Sequence, residues 1–200
     1  MWLDIKFCGG FFMKEYIEKE IKVKIANPID AITRLKSIGA KFEGGTFERT
    51  IRFDTPNHDL EKAGKFLRVR SGFNNVITMK EKIENDVNVR ARKETEFKIE
   101  DIEKMEYIIK HLGYSYTTTM EKYRQMWKFD DCDITLDEMP FGVYMEIEGS
   151  EDKIIEICNI LGINKQERIL ESYWELWAKI SDEKDIIFEG NHNFILKTIE

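Results

Sequence analysis

Ten residues, Tyr16–Ile25 (YIEKEIKVKI), constrain the fold more than any other stretch. Strand side chains alternate between two faces. On that alternation Glu18, Glu20, Lys22 and Lys24 share one face, and Ile17, Lys19, Ile21, Val23 and Ile25 share the other. The pattern predicts a strand that is largely apolar on one side and fully charged on the other. One such face is ordinarily just solvated.

The same pattern recurs along the chain. Thr46–Asp54 sets Glu48, Thr50 and Arg52 against Phe47, Ile51 and Phe53. Phe66–Arg70 sets Arg68 and Arg70 against Leu67 and Val69, and Val76–Lys82 sets Thr78 and Lys80 against Ile77 and Met79. Val87–Phe97 carries Arg90, Arg92, Glu94 and Glu96 on one side, with a less apolar opposite face. Thr118–Phe129, Asp133–Glu138 and Val143–Glu148 add Lys122, Arg124, Asp133, Thr135, Asp137, Glu146 and Glu148 on matching faces. Turns are predicted at Glu43-Gly44-Gly45, Thr55-Pro56-Asn57, Gly72–Asn75 and Pro140-Phe141-Gly142. Helical spacing is read over Ile29–Ile38, Asp101–His111, Glu151–Leu161 and Ser172–Ile180. About eight short strands with a few helices make an α+β chain, and eight antiparallel strands can close into a barrel. The apolar faces then lie outward beneath the flanking helices, and the charged faces line a lumen. The competing reading is an open or lipocalin-like sheet whose polar face is wet. Such a face would tolerate Ser, Thr, Asn and Gln, yet most of these positions are fully charged.

The totals fit one domain of 200 residues. Charged residues make up 34% and the net charge is −7, which argues against a general nucleic-acid surface. Cys8, Cys132 and Cys158 form no CxxC pair, which points to a reducing, cytoplasmic location. No apolar run reaches membrane-spanning length. Residues 1–13 are expected to be a disordered or mis-assigned lead with the true start at Met13, residues 14–180 the folded domain, and residues 181–200 a C-terminal extension of unread structure.

The inward bases are Lys22, Lys24, Arg52, Arg68, Arg70, Lys80, Arg92, Lys122 and Arg124, and the inward acids are Glu18, Glu20, Glu94, Glu96, Asp137, Glu146 and Glu148. Burying so many ions in an empty core would cost several kcal/mol for each unpaired one. Arginine and lysine suit phosphoryl oxygens. Clustered carboxylates suit Mg²⁺ or Mn²⁺. A polyphosphate with a divalent metal satisfies both sets. His58, His111 and His192 lack ligand spacing. Cys132, between Asp131 and Asp133, is a poor nucleophile. Trp174 and Trp177 read as packing anchors.

Glu18-x-Glu20-x-Lys22 resembles the opening signature of the CYTH family, the triphosphate tunnel metalloenzymes. The ordered series that follows is similar too: Phe53-Asp54-Thr55-Pro56, Leu67-Arg68-Val69-Arg70, Lys80, Arg92-x-Glu94-x-Glu96, Lys122 with Arg124 and Trp127, Leu136-Asp137, Gly142, Glu146-x-Glu148 and Ser172-Tyr173. The helix at 101–111 and Leu112-Gly113-Tyr114 look most like the class IV adenylate cyclase branch. The resemblance implies that Glu18, Glu20, Glu146, Glu148 and Asp137 hold the metal. It implies that Lys22, Arg68, Arg70, Lys80, Lys122 and Arg124 grip the triphosphate, and that Glu94 and Glu96 bind a second metal or place the nucleophile; Lys24, Arg52 and Arg92 join the substrate-binding candidates by their inward register. Both hydrolysis and cyclisation occur in such a tunnel; hydrolysis of a terminal phosphate makes fewer demands on the pocket and is the first expectation, with cyclisation of ATP to cyclic AMP, the reaction of the branch resembled most, as the alternative. A non-catalytic polyphosphate sensor is the third, and a homodimer is compatible with all three.

Overall fold

The computed structural model describes residues 16–83 and 88–199, with the side chain of Tyr16 excepted. The expected lead and start at Met13, and the first residue of the expected fifth strand, lie outside the described residues. Eight antiparallel strands form the sheet: β1 (Tyr16–Ile25), β2 (Lys41–Asp54), β3 (Lys65–Ser71), β4 (Val76–Lys82), β5 (Arg90–Lys98), β6 (Tyr116–Phe129), β7 (Cys132–Met139) and β8 (Gly142–Glu148). Their order is β1-β5-β4-β3-β2-β6-β7-β8, and β8 returns to β1 to close a barrel. Closure removes the open sheet as an alternative.

The helices sit outside. In α1 (Pro28–Ser37) the Asn27 side chain accepts the N–H groups of Ile29 and Asp30 at 3.1 and 3.2 Å. Its Ala31, Ile32 and Leu35 are buried against the outer face of the barrel, together with Ile154, Ile157 and Leu161 of α4 (Glu151–Leu161). They cover Ile21, Val23, Val143, Met145 and Ile147, the apolar faces of β1 and β8. Between β2 and β3 lies a short helix, α2 (Asp59–Lys62). On the far side α3 (Ile102–His111) buries Ile109 over Phe53, Leu67 and Val69. The hydrophobic core is therefore a shell around the barrel. No helix among the described residues is long and apolar enough to cross a membrane.

The structure corrects the sequence reading at Glu43-Gly44-Gly45. It is no turn: β2 runs through it with a bulge, pairing Phe42 with Trp127 and Gly44 with Met126 across β6, which leaves Glu43 as the extra residue. Gly44 has φ +128°, and a Cβ at Gly45 would lie 2.5 Å from the Tyr123 hydroxyl oxygen. Bulges and turns draw on the same glycine chemistry, so their sequence signals coincide. The helix expected over Ser172–Ile180 shrinks to α5 (Tyr173–Trp177), opened by a reciprocal Ser172–Glu175 cap.

Two segments beyond α4 fill gaps in the ladder. β5 pairs with β1 only as far as Glu20, and Ile169 takes up the free backbone of Lys22 with bonds of 3.1 and 2.7 Å. This anchors α5 against the barrel. Further on, Ile186 bonds to the backbone of Thr119 and Glu121 on β6 at 2.8 and 2.7 Å. Leu196, in α6 (Ile195–Thr198), enters the main core. The Gln125 amide donates to the Leu196 and Ile199 carbonyls at 2.7 and 3.2 Å, and Glu138 accepts the Leu196 N–H at 2.9 Å. The tail is thus part of the fold. Leu196→Ala is expected to destabilise the protein by about 2–5 kcal/mol, read from urea unfolding; a change within about 0.5 kcal/mol would mean the tail contributes no core.

Candidate active site

Alternation on a closed barrel sends one face of every strand to a common interior. That interior is a cavity of about 1060 Å³. Of the nine expected bases, eight line it: Lys22, Arg52, Arg68, Arg70, Lys80, Arg92, Lys122 and Arg124. Lys24 does not; it is exposed, with its ammonium 6.0 Å from the Tyr144 ring. Of the expected acids, Glu18, Glu20, Glu94, Glu96, Glu146 and Glu148 line the cavity. Asp137 is fully buried and outside that lining.

Among the described residues, two ion-pair networks stand out, besides Arg90 with Glu20 and Arg52 with Glu61 and Asp54. In one network Lys80 bridges Glu18 and Glu94, the latter at 2.9 Å. Arg68 lies 3.7 Å from Glu94 and 3.9 Å from Glu96, and Arg70 lies 3.7 Å from Glu96. In the other, Lys22 meets Glu146 at 2.7 Å, and Arg124 meets Glu146 at 2.6 Å and Asp137 at 2.5 Å. Lys122 joins it through Asp137 at 2.9 Å and Glu48 at 3.5 Å. Arg90 pairs separately with Glu20 at 3.2 Å.

Asp137 is saturated: Lys122, both arms of Arg124 and the Tyr173 hydroxyl, at 2.9 Å, all donate to it. It fixes the two bases from behind. Glu48 and Arg90 belong to the site although neither was among the expected residues. Glu48 is 3% exposed. Both stood in the right alternation register, which was the available signal.

Burial and neighbouring charge compete throughout the site. Burial pushes Glu48 up, but Arg124, Lys122, Arg70 and Arg68 outweigh it and hold its carboxyl at about 2. Burial likewise opposes ionisation of Glu146, yet Lys22, Arg124 and Lys122 hold it well below the carboxylate range. Burial and then Arg124 push the Lys122 ammonium down despite its acidic neighbours. Burial and then Arg68 push Arg70 down. Lys22 instead is raised, because Glu146 and Glu20 overcome its burial. Two guanidinium donors, Arg68 Nε and Arg90 Nε, are buried without a hydrogen-bond partner. An anion entering here would meet preformed, underused donors.

The expected metal ligands are distributed along the wall. Glu20 on β1 and Glu148 on β8 are direct cross-strand neighbours, and Asp133 on β7 is paired in register with Glu148. All three line the cavity. Like charges directly opposite destabilise a sheet; here Arg90 at Glu20 and Lys128 at Asp133, 2.8 Å away, offset the repulsion. Among the described residues, Asp54, His58 and Glu61 also bring ligand atoms within 4.8 Å of one another. That group is committed elsewhere: Asp54 accepts the N–H groups of Thr55, Leu60 and Glu61, and Glu61 holds Arg52 at 3.1 Å. Asp54 of the Phe-Asp-Thr-Pro stretch therefore caps α2. Cys132 is fully buried, and burial pushes its thiol up.

The depressed Glu48 carboxyl fixes a sign. Its contribution to stability is complete above its unfolded value, near 4.5, and is lost as pH falls toward about 2. Stability is therefore expected to drop between pH 4.5 and 2, and Glu48→Gln should flatten that limb by up to about 1.4 kcal/mol per pH unit. Urea titrations across this range check it; an unchanged slope would contradict it.

The CYTH domain pattern matches residues 16–171. A candidate adenylate cyclase of Methanocaldococcus jannaschii is 33% identical over 177 residues, covering 88% of this chain and 96% of the relative. Among solved structures, a candidate adenylate cyclase from Vibrio parahaemolyticus superposes with a TM-score of 0.73 at 18% identity, covering 82% of this chain and 99% of that one. A candidate adenylyl cyclase from Hippeastrum, described as having a dominant triphosphatase activity, superposes at 0.59 with 15% identity, covering 81% of this chain and 95% of that one. These two structures agree in fold. The extent of the domain match and the M. jannaschii relative place the chain in the CYTH domain family.

Proposed function

We propose that the protein is an enzyme that takes a triphosphate into the barrel with a divalent metal ion and hydrolyses its terminal phosphate. One observation carries this reading: a closed lumen holds buried guanidinium donors without partners beside a lysine and an arginine whose charge is disfavoured by burial and by other cations. Family membership and the triphosphatase described for the Hippeastrum protein support it.

Arg68, Arg70, Lys80, Lys122 and Arg124 would grip the phosphate chain, with Lys22, Arg52 and Arg92 at its flanks. Lys24 is set aside because it lies off the cavity. Glu18, Glu20, Glu146 and Glu148 supply the hard oxygen donors that Mg²⁺ or Mn²⁺ prefers, and the in-register carboxylates Glu20 and Glu148 fit such an ion. Bound there, the ion would neutralise charge on phosphoryl oxygens. Asp137 acts as a positioning residue through Lys122 and Arg124. Binding exchanges partners: bases now held by carboxylates turn to phosphate. Glu94 and Glu96, released by Lys80, Arg68 and Arg70, then orient the attacking water. Water adds to the terminal phosphorus, the bond to the bridging oxygen breaks, and orthophosphate and the shortened chain leave. Cationic side chains fixed around the lumen stabilise the developing charge without reorganising.

Cyclisation is the second reading, favoured by the M. jannaschii relative. There the ribose 3′-hydroxyl attacks the α-phosphorus and pyrophosphate leaves.

Phosphorus NMR of products from ATP and from inorganic tripolyphosphate, with Mg²⁺ or Mn²⁺, decides. Orthophosphate is the expected product. Pyrophosphate with cyclic AMP would establish cyclisation instead, and tight binding without turnover would establish a sensor.

Glu20→Gln and Glu148→Gln are each expected to lower turnover by about 10²–10³-fold while the protein stays folded. Chelation should abolish turnover reversibly. Turnover that persists in excess chelator would contradict the metal assignment.

A further inference from the structure

The strand ladder does not by itself fix the spacing of the bases in the lumen. Lys22 stands on β1 and Lys122 on β6, and β7 and β8 lie between those strands around the barrel. Each ammonium leans on its own carboxylate, Lys22 on Glu146 at 2.7 Å and Lys122 on Asp137 at 2.9 Å. One further side chain reaches both. The Tyr173 ring centroid lies 4.3 Å from the Lys22 Nζ and 5.5 Å from the Lys122 Nζ. An aromatic face attracts a cation at this range, most strongly away from water. Both lysines are buried.

Tyr173 comes from α5 and not from the barrel, and it lies beyond the family-matched residues 16–171. It is buried, and it lines the cavity. The Tyr144 and Phe141 rings meet its ring nearly at right angles, with centroids 5.5 and 6.3 Å away. Glu175 accepts the Ser172 N–H at 2.6 Å and fixes the turn that carries it. The Tyr173 hydroxyl donates to Asp137 Oδ2, the oxygen that also takes the Lys122 Nζ and the Arg124 Nη2. A carboxylate oxygen offers about two lone pairs. Three donors therefore share it, and none holds it fully. Burial, then Asp137 and Glu146, push the phenol well above its ordinary range, so it stays a neutral donor.

We infer that Tyr173 is a positioning residue of the triphosphate site: its ring sets the places of the Lys22 and Lys122 ammoniums, its hydroxyl divides the charge of Asp137, and the seating of α5 thereby sets the grip on the phosphate chain. The ring holds two cations from separate strands without neutralising either, which a carboxylate in its place would do. The hydroxyl keeps Asp137 from drawing Lys122 and Arg124 fully to itself, and leaves both cations charge to offer an anion. The role rests on the triphosphate reading of the same cavity.

The test is isothermal titration calorimetry with inorganic tripolyphosphate, run in Mg²⁺ and in chelator, on the full chain and on Tyr173→Phe, Tyr173→Leu, Lys22→Met and the Tyr173→Leu/Lys22→Met double variant. Tyr173→Leu, which removes ring and hydroxyl, is expected to weaken Kd about ten-fold at unchanged stoichiometry, the scale of one desolvated cation–π contact. Tyr173→Phe, which keeps the ring, is expected to weaken it about three-fold, the scale of one hydrogen bond. In the Lys22→Met background the leucine substitution should cost only about three-fold, because groups in contact are not additive. A residue that merely packs α5 would lower the fraction of binding-competent protein at the parental Kd. Parental Kd in either Tyr173 variant, or additive costs in the double variant, would overturn the role and leave the triphosphate reading standing. Tyr173→Phe decides alone if the leucine variants do not fold. Failure of the parent to bind in either condition would overturn both.

Discussion

Charge in a confined space must be compensated, and the architecture follows from that requirement. The barrel turns its apolar faces outward, where α1, α3 and α4 bury them, and its charged faces inward. A lumen of this kind cannot be empty of counter-charge. The acids and bases of the wall neutralise one another, as in Lys22–Glu146 at 2.7 Å and Lys122–Asp137 at 2.9 Å. Buried pairs of this sort are weak evidence for stability, because desolvation offsets most of the attraction. Their arrangement makes better sense as stored positions for a ligand. A polyanion and a divalent cation would together replace both halves of each pair at little electrostatic cost.

The pairs are not equivalent. Asp137 is closed off by Lys122, Arg124 and Tyr173, so it holds two cations in place and is inaccessible. Arg68 and Arg70 meet their acids only at 3.7–3.9 Å, beyond hydrogen-bonding range. The wall thus combines fixed cations with loosely held ones. Tyr173 ties this network to α5, which the Ile169–Lys22 bridge anchors on β1. The C-terminal segment is in this way connected to the electrostatics of the site.

Much of this was legible in the sequence because one signal, alternation, repeats in every strand. It gave the bounds of β1 and β4 to the residue, and it separated lumen from shell at Glu18, Lys22, Arg68, Lys80, Lys122 and Glu146. Alternation names a face but not a depth along the barrel, which is why Lys24 and Asp137 were grouped with residues that line the cavity. The bulge at Gly44 was unreadable as such because glycine marks turns and bulges alike. The tail carried no periodicity: its anchors, Ile186 and Leu196, are single apolar residues in irregular chain, and Gln125 and Glu138 look like ordinary strand polar residues until the tail meets them. Phe66 stood in the inward register, but an isolated aromatic on a charged face has no meaning before its partner on α5, Trp174, is known.

The central claim is that the lumen's ion pairs exchange partners for a triphosphate and a metal ion. A crystal structure of the protein with tripolyphosphate and Mn²⁺ tests it most directly. The account predicts an anomalous Mn²⁺ peak at the carboxylates of β1 and β8, phosphate oxygens on Arg68, Arg124 and Lys122, and Lys80 moved from Glu18 to the phosphate chain. A lumen with every ion pair intact and the anion bound outside the barrel would contradict it.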